Sequence, residues 1–257
     1  AIALNAAGMS LTTMISPAIG GIVYHFLGPG MTYLLIVVFC IVASISTSML
    51  PKGEKKSPKS SKALNEIKDV INLLYKNSIL KFLLLFTLVT TLLSMPIRTL
   101  LAPYSSELLS GGALEVGLML ASIGAGALFG TLFSASLPQS TKKGKYIIAT
   151  SLISGTAIMI LGFSSILIIS ILLCFFLGVG DAGRRSLNPS MIIEKTPPEF
   201  RGRVMGFYAM SFGFIPLGAI PMGIISDVYG VDFSFIISGV LLVVLTLILS
   251  TKSVRSS

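Results

Sequence analysis

The sequence is short of charge, histidine, cysteine and tryptophan. Only 11% of its 257 residues are charged and 53% are hydrophobic, whereas soluble domains carry about 25% charged residues. This composition excludes a soluble globular domain. The single histidine, His25, cannot build a metal site alone. Two cysteines, Cys40 and Cys174, both lie in apolar runs and give no disulfide framework.

Sequence patterns typical of enzymes are also missing. The chain has no Ser-His-Asp set, no cluster of metal ligands, no Gly-x-x-x-x-Gly-Lys-Ser/Thr phosphate loop and no nicotinamide-binding glycine pattern. We therefore expect no enzyme, no cofactor and no metal site. Since this chain has no nucleotide-binding domain, we expect any transport to be driven by an ion gradient and not directly by ATP.

Long apolar stretches are what the sequence does have. A bilayer core of about 30 Å needs roughly 20 apolar residues per helix, and eight stretches meet that length. Their apolar residues continue around the whole helix, as expected where lipid or other helices surround it. The sequence thus predicts an all-α membrane protein with spans at about 3–27, 30–50, 80–102, 114–137, 145–163, 165–183, 203–227 and 231–250.

The basic residues lie almost entirely on one side of the predicted spans. If the eight spans alternate in direction, that side carries 18 of the 19 Lys and Arg residues, the exception being Arg98. By the positive-inside rule this side is cytoplasmic, which predicts a plasma (inner) membrane protein with both chain ends in the cytoplasm. The net charge of +9 therefore indicates contact with a membrane surface and no nucleic-acid partner.

An unusual polar segment, "TPPEFRGRVMG", occupies residues 196 to 206. Thr196 and Glu199 have the spacing of a capping box, which predicts a helix start there. Arg201 and Arg203 are then expected at the level of the lipid headgroups. They either anchor the helix at the interface or hold neighbouring helix ends together in one transport state, as gating residues.

A repeat links two parts of the chain. "GIVYHFLGPGMTY" (21–33) matches "GIISDVYGVDFSF" (223–235), with Gly28 opposite Gly230 and an offset of 202. The two copies join the first and second spans and the seventh and eighth, a shift of six helices. A parallel repeat of six helices is the architecture of major facilitator transporters. We therefore expect a twelve-helix fold of which this chain supplies the fifth to twelfth helices.

This repeat divides the chain into three parts. We expect 1–50 to be the last two helices of an N-terminal half, 51–78 a cytoplasmic linker, and 79–257 a complete C-terminal half. In the linker, Leu64, Ile67, Ile71 and Leu74 have helical spacing with lysines opposite, which predicts an interfacial helix, or alternatively a partner-docking helix.

Several motifs resemble one family. "PPEFRGRVMG" followed by "PLGAIPMGIISDVYG", and the linker helix followed by "NSILKFLLL", are similar to the major facilitator superfamily, in the branch of bacterial enterobactin exporters and macrolide-efflux-like proteins. The resemblance covers essentially the whole chain and about two-thirds of a family member. It implies an exporter working by alternating access. The loop "GTLFSASLPQSTKKGK" lacks the acidic residue of the superfamily's common loop motif, so control through that acid is not expected here.

Charged residues inside the spans are candidates for function, because each costs roughly 2.5–3.5 kcal/mol to insert. Asp181 lies in the predicted cytoplasmic part of its span, and Arg184 and Arg185 follow within same-face reach. The three form either a structural ion pair at a helix end or an element for proton coupling or gating. Arg98 is predicted near an outer helix end, where it either extends to the headgroups or presents a cation to an anionic or polar substrate.

Glycines, prolines and aromatic residues mark two spans. Gly126 and Gly130 form a small-x-x-x-small pair for helix packing, and Pro216 and Pro221 permit bending of the span 203–227. Four residues of that same span are predicted to line a cavity for an amphipathic molecule: Tyr208, Met210, Phe212 and Phe214.

The predicted function is secondary active transport, with export of a small amphipathic molecule by an ion-coupled antiporter. The expected partners are the lipid bilayer, the small-molecule substrate, protons and four further N-terminal helices, without which the chain is expected to be inactive. The alternative is a non-transporting membrane assembly or sensor protein.

Overall fold

The computed structural model describes the backbone of residues 2–49, 70–75, 77–137 and 143–254, and in these ranges it contains helices and no strand. Side chains are described for the same ranges except 2–14, 17–18 and 251–254. Short helical turns occupy 70–75. Nine longer helices follow one another in the described residues: α1 (Ile2–Ser48), α2 (Ser78–Ser94), α3 (Ile97–Leu108), α4 (Ala113–Ser136), α5 (Lys143–Leu161), α6 (Leu167–Lys195), α7 (Arg201–Gly213), α8 (Ile215–Tyr229) and α9 (Val231–Val254).

These helices confirm an all-α membrane protein. Seven segments of the described chain are long and apolar enough to cross a bilayer. Sequence predicts eight, and the difference lies in α1, which contains both the predicted spans 3–27 and 30–50. Its 47 residues would extend about 70 Å as one straight helix, more than twice the bilayer core. The backbone of Gly28 is not helical and divides α1 into two.

The two glycines paired by the repeat share a rare backbone conformation. Gly28 has φ 77° and ψ 177°, and Gly230 has φ 96° and ψ 154°. They are the only glycines with positive φ among the described residues. A side chain would strain either position, so the repeated glycine is explained by the backbone that it permits. The two halves of α1 are thus joined through a glycine of the same backbone conformation as the one between α8 and α9.

Two of the predicted single spans are broken near their centres. The segment Ser78–Leu108 is interrupted between α2 and α3 at Met95 and Pro96. Because proline has no N–H, the carbonyl of Leu92 loses its helical donor. This carbonyl instead faces Gly218 of α8, where an added Cβ would overlap it. The segment Pro198–Tyr229 is interrupted at Phe214, with Pro216 in the first turn of α8.

α6 lies at the centre of the bundle and packs against α2, α4, α5 and α7. The predicted packing role of Gly126 and Gly130 agrees with the structure. An added Cβ on these residues would overlap the backbone of Phe175 and Val179 in α6, respectively. In the other direction, Gly178 of α6 faces the backbone oxygen of Ile123. Backbones that approach this closely exclude any larger residue at these positions.

The predicted capping box at Thr196 is wrong. α6 continues to Lys195, so Thr196 is its C-terminal cap, and the Thr196 hydroxyl donates to the carbonyl oxygen of Ile192 at 2.6 Å. The turn that follows has Pro197 and not Thr196 at its N-cap position, and no side chain caps it. A 3₁₀ turn over Pro198–Phe200 leads into α7 instead.

The linker is described only at its end. Val70 is fully buried in a cluster with Leu80, Leu83 and Ile192, which attaches the turns 70–75 to α2 and α6. The predicted interfacial positions Leu64 and Ile67 lie outside the described residues.

Candidate functional site

Asp181 is almost fully buried, with 1% of its surface exposed, at the midpoint of α6. The sequence ends this span at 183 and thereby places Asp181 in its cytoplasmic part. In the structure α6 extends twelve residues further, to Lys195, so Asp181 lies at the middle of the helix, while its position relative to the bilayer stays a prediction. Fourteen residues, or about 21 Å of helix, lie on either side of the carboxylate. A charge in the middle of a membrane-spanning helix is more costly than one at its end and requires partners.

Those partners come from α2, from α3 and from α6 itself. The hydroxyl of Ser94, at the end of α2, donates to Oδ1 of Asp181 at 2.7 Å, and Nη2 of Arg98 in α3 lies 3.5 Å from Oδ2. Arg184, one turn further along α6, forms an ion pair with Oδ1. The break at Pro96 lies between Ser94 and Arg98, so both sides of the break contact the same carboxylate.

Arg184 extends the network to a fourth helix, α5. Its Nη1 donates to Oγ of Ser154 at 2.9 Å and to Oγ of Ser151 at 3.3 Å, both in α5. This contact needs close helices, and an added Cβ on Gly180 would overlap the backbone of Thr150 in α5. α2, α3, α5 and α6 are therefore joined through one buried carboxylate and two guanidinium groups. We call Ser94, Arg98, Ser151, Ser154, Asp181 and Arg184 the Asp181 network.

Arg98 lies further from the end of its helix than the sequence predicts. α3 continues to Leu108, ten residues or about 15 Å beyond Arg98, so the side chain does not begin near a helix end. It is 24% exposed and turns toward Asp181. Its Nε is buried and has no hydrogen-bond partner among the described residues. The guanidinium thus belongs to the Asp181 network and not to the headgroup region.

Arg185 points elsewhere. The predicted same-face pairing with Asp181 is made by Arg184, whereas Arg185 is exposed and borders a small polar recess between α2, α6 and α7. This recess, called the Arg185 recess below, is lined by Thr87, Thr90, Thr91, Met95, Arg184, Arg185, Asn188, Tyr208 and Phe212.

The four predicted cavity residues of α7 do not form one wall. Tyr208 and Phe212 line the Arg185 recess, whereas Met210 and Phe214 line an apolar groove beside α2 and the turns 70–75. The reason is helical geometry, because residues two apart point about 200° from each other and residues four apart share a face. The structure therefore corrects the predicted cavity to two surfaces, of which only one is polar.

Arg201 and Arg203 lie at the start of α7 and contact nearby groups. Nε of Arg201 donates to the carbonyl oxygen of Thr196 at 3.3 Å, so it satisfies a backbone group just past the end of α6. The guanidinium of Arg203 lies 5.7 Å from the ring centre of Phe200. These contacts fit an anchoring role, and a role in gating stays a prediction.

Sequence reasoning missed the serines, threonines and asparagine of the site. A signal was present in their spacing. Thr87, Thr90, Thr91 and Ser94 recur at three and four residues along an apolar helix, as do Asp181, Arg184 and Asn188. Such a polar stripe on a membrane helix must face protein or water, and two stripes predict a shared polar seam.

Metal binding finds no support in the described residues, where no three His, Cys, Asp or Glu side chains lie together.

Comparisons with known proteins agree with the sequence motifs. Residues 1–257 match the family model described as transmembrane secretion effector. The chain is 23% identical over 245 residues to macrolide efflux protein A of Streptococcus pyogenes, covering 93% of this chain and 60% of that protein. It is 22% identical over 255 residues to the staphyloferrin A transporter of Staphylococcus aureus, covering 96% of this chain and 62% of that protein. The chain thus spans about three-fifths of the length of these relatives.

Proposed function

Since the chain belongs to the transmembrane secretion effector family of the major facilitator superfamily, we propose that it forms part of a secondary active exporter. It is a multi-pass membrane transport protein and not an enzyme. In the proposed cycle a small amphipathic molecule leaves the cell by alternating access, in exchange for protons. Because the relatives are longer, we propose that four further helices complete the N-terminal half and that the chain is inactive without them.

The observation that carries the proposal is the burial of Asp181 between arginines of two helices. Removing one partner of a buried ion pair costs about 3–5 kcal/mol, because the other charge stays buried without compensation. Moving a two-state equilibrium from 1:99 to 99:1 takes about 5.5 kcal/mol. The free-energy change on protonating this one carboxylate is therefore comparable to the change needed to reverse which transport state is favoured.

The backbone around the network supports movement there. Pro96 interrupts the helix between Ser94 and Arg98, and Pro189 of α6 leaves the carbonyl of Arg185 without its helical donor. When Asp181 is charged, it holds α2, α3 and α6 together across these weak points. When it is neutral, Arg98 and Arg184 lose their counter-charge and α3 is free to tilt about Pro96. This makes Asp181 the proposed coupling residue.

The remaining candidate residues take secondary roles in this proposal. Tyr208 and Phe212 contact the substrate at the Arg185 recess, and Arg201 and Arg203 hold the start of α7 at the cytoplasmic interface. The distribution of lysine and arginine supports a plasma-membrane location with both chain ends in the cytoplasm. Labelling with a membrane-impermeant thiol reagent tests this, because a cysteine at position 111 should react from outside and one at 143 should not.

The central experiment replaces Asp181 with Asn in a protein that joins this chain to an N-terminal four-helix segment. The purified protein is reconstituted in liposomes with an imposed pH gradient, and efflux of a panel of amphipathic solutes is measured. We expect the variant to lose gradient-driven flux while it keeps solute exchange without a gradient, because Asn retains the shape and cannot carry the charge. Glu194→Gln is the matched control, since Glu194 pairs with Lys143 at the exposed end of the same helix.

A variant that transports at the wild-type rate at every pH would exclude Asp181 from coupling. If the unaltered protein moves no solute of the panel under any gradient, the alternative of a non-transporting membrane assembly or sensor protein is favoured.

A further inference from the structure

Positive charge exceeds negative charge in the middle of the bundle. Arg98, Arg184 and Arg185 lie in the central parts of their membrane segments, where Asp181 is the only acidic residue among the described ones. The other described acids lie in the first or last turns of helices or in the connections: Glu107, Glu115, Glu194, Glu199, Asp227 and Asp232. The centre therefore carries a net charge of +2.

Arg185 is the cation that this imbalance leaves without a partner. Both oxygens of Asp181 are occupied, by Ser94 and Arg184 on one and by Arg98 on the other. Among the described residues no acidic side chain contacts the exposed guanidinium of Arg185. An unpaired cation at this depth is unfavourable in the empty protein and creates a strong preference for an incoming anion.

The surroundings of Arg185 are suited to one small anionic group. Thr87, Thr90 and Thr91 of α2 line the recess. The hydroxyls of Thr87 and Thr90 donate to the carbonyl oxygens of Leu83 and Phe86, so the Thr91 hydroxyl is the donor that α2 offers to an anion. The recess offers about 20 Å³, room for about one water-sized group, so it takes one oxygen of an anionic group and not the whole group. The rings of Tyr208 and Phe212, which also line the recess, pack edge to face with centres 5.6 Å apart and offer an apolar surface.

Arg185 lies inside the membrane segment Leu167–Lys195, four residues or about 6 Å of helix from the midpoint of α6. An anion that reaches it is either a solute moving through the protein or a lipid headgroup. The lipid arm of the experiment below distinguishes these two sources.

We propose that Arg185 binds the carboxylate or phosphate of the transported molecule, so that the substrate is an amphipathic anion. One oxygen of its charged group enters the Arg185 recess and contacts the guanidinium and the Thr91 hydroxyl, and its apolar body lies on Tyr208 and Phe212. Arg184, fixed by Asp181 and the α5 serines, adds a positive field behind Arg185. This substrate class rests on the proposed function, while the anion site itself requires only the residues of this chain.

The experiment measures binding of three probes that share one ring system and differ in charge: 2-naphthoate (anion), 2-naphthamide (neutral) and 2-naphthylmethylammonium (cation). The 257-residue chain is placed in nanodiscs of phosphatidylcholine, and Kd values are obtained by equilibrium dialysis at neutral pH. We expect 2-naphthoate to bind about tenfold more tightly than 2-naphthamide, in keeping with a hydrogen bond to a charged group. The cation should bind most weakly.

Two variants and a control locate the site. Arg185→Gln should abolish the preference for the anion, and Arg185→Lys should keep part of it. Lys145→Gln removes the same charge from an exposed position at the start of α5 and should leave all three Kd values unchanged. If 2-naphthoate and 2-naphthamide bind equally well, or if Arg185→Gln keeps the preference, the proposed site is excluded.

Two further arms distinguish other anions. Adding phosphatidylglycerol to the nanodiscs should leave the Kd of 2-naphthoate unchanged, whereas strong competition would assign the recess to a lipid headgroup and overturn the proposal. The preference should also persist when the N-terminal helices are joined to the chain. Its loss there would mean that an acidic residue of those helices pairs with Arg185. Gradient-driven flux without any anion preference would exclude this inference and leave the proposed function intact.

Discussion

The two faces of α6 are held by different kinds of contact. Toward α4, Gly126, Gly130 and Gly178 bring backbones together with no side chain between them. Toward α2, α3 and α5, Asp181 and Arg184 make the ion pairs and hydrogen bonds of the Asp181 network with Ser94, Arg98, Ser151 and Ser154. The glycine contact with α4 does not depend on protonation. The contacts of the Asp181 network depend on the charge of Asp181.

This difference assigns separate mechanical roles to the two faces. Close backbone packing is lost almost completely when helices separate, so α4 and α6 should move as one body. A polar seam has alternative pairings and can be rearranged when a proton arrives. Movement during transport is therefore expected between α6 and the broken helix α2–α3, and not between α6 and α4. The three predictions that follow test this contrast.

The largest effect is expected from removing one partner of the buried ion pair in the Asp181 network. Arg184→Met should lower the free energy of unfolding by about 3–5 kcal/mol, because it leaves Asp181 buried without its closest partner. Adding Asp181→Leu should recover most of that loss, since a well-packed apolar pair often replaces a buried ion pair without penalty. Gradient-driven flux should not return in the double variant. Denaturation in mixed micelles and flux in liposomes are measured on the same preparations.

The comparison of stability with gradient-driven flux decides whether the Asp181–Arg184 pair serves coupling or folding alone. If the double variant regains both stability and gradient-driven flux, the Asp181–Arg184 pair is structural only. Recovery of stability without flux separates coupling from folding.

A smaller effect is expected on the glycine face. Gly126→Ala should lower the free energy of unfolding by about 1–3 kcal/mol, as overpacking does, because the new Cβ overlaps the backbone of Phe175. Gly223→Ala is the matched control, since an added Cβ there has open space and alanine favours the helix by about 0.5–1 kcal/mol. The pH dependence of flux should be unchanged in both variants. Equal stability of the two would refute the rigid α4–α6 contact.

The sequence predicts the class of fold well, because long apolar stretches and basic connections are set by the bilayer and not by tertiary contacts. It also predicts the Asp181–Arg184 pair, which lies within one helical turn. The repeated glycine is predicted too, since Gly28 and Gly230 share a backbone that other residues rarely adopt.

Other features of the site depend on contacts that a single sequence does not reveal. Arg98 and Asp181 are 83 residues apart, and their pairing requires knowing which helices are neighbours. The sequence predicts the end of α6 at 183 because charged residues follow, yet Arg184 is buried among its partners and the helix continues to Lys195. The split between Tyr208 and Met210 was predictable, because helical spacing alone puts them on different faces.

The smallest and most specific prediction concerns single hydroxyls on the two faces. Ser94 of the seam donates to the Asp181 carboxylate at 2.7 Å, and Ser122 donates to the carbonyl oxygen of Ile171 at the same distance across the α4–α6 face. Replacing either with Ala should lower the free energy of unfolding by about 0.6–2 kcal/mol, the range of interhelical hydrogen bonds in membranes. Stability alone therefore does not distinguish them.

The pH profile of flux should distinguish these two serines. The Ser94 hydroxyl stabilises the charged carboxylate, so Ser94→Ala favours the protonated form and should move the midpoint of gradient-driven flux to higher pH. Ser122→Ala removes a hydrogen bond between neutral groups on the rigid face and should leave the midpoint unchanged. Flux is measured at a series of internal pH values with a constant gradient. Identical midpoints of the flux profiles for Ser94→Ala and Ser122→Ala would mean that the Asp181 network and the glycine face do not differ in their response to protons.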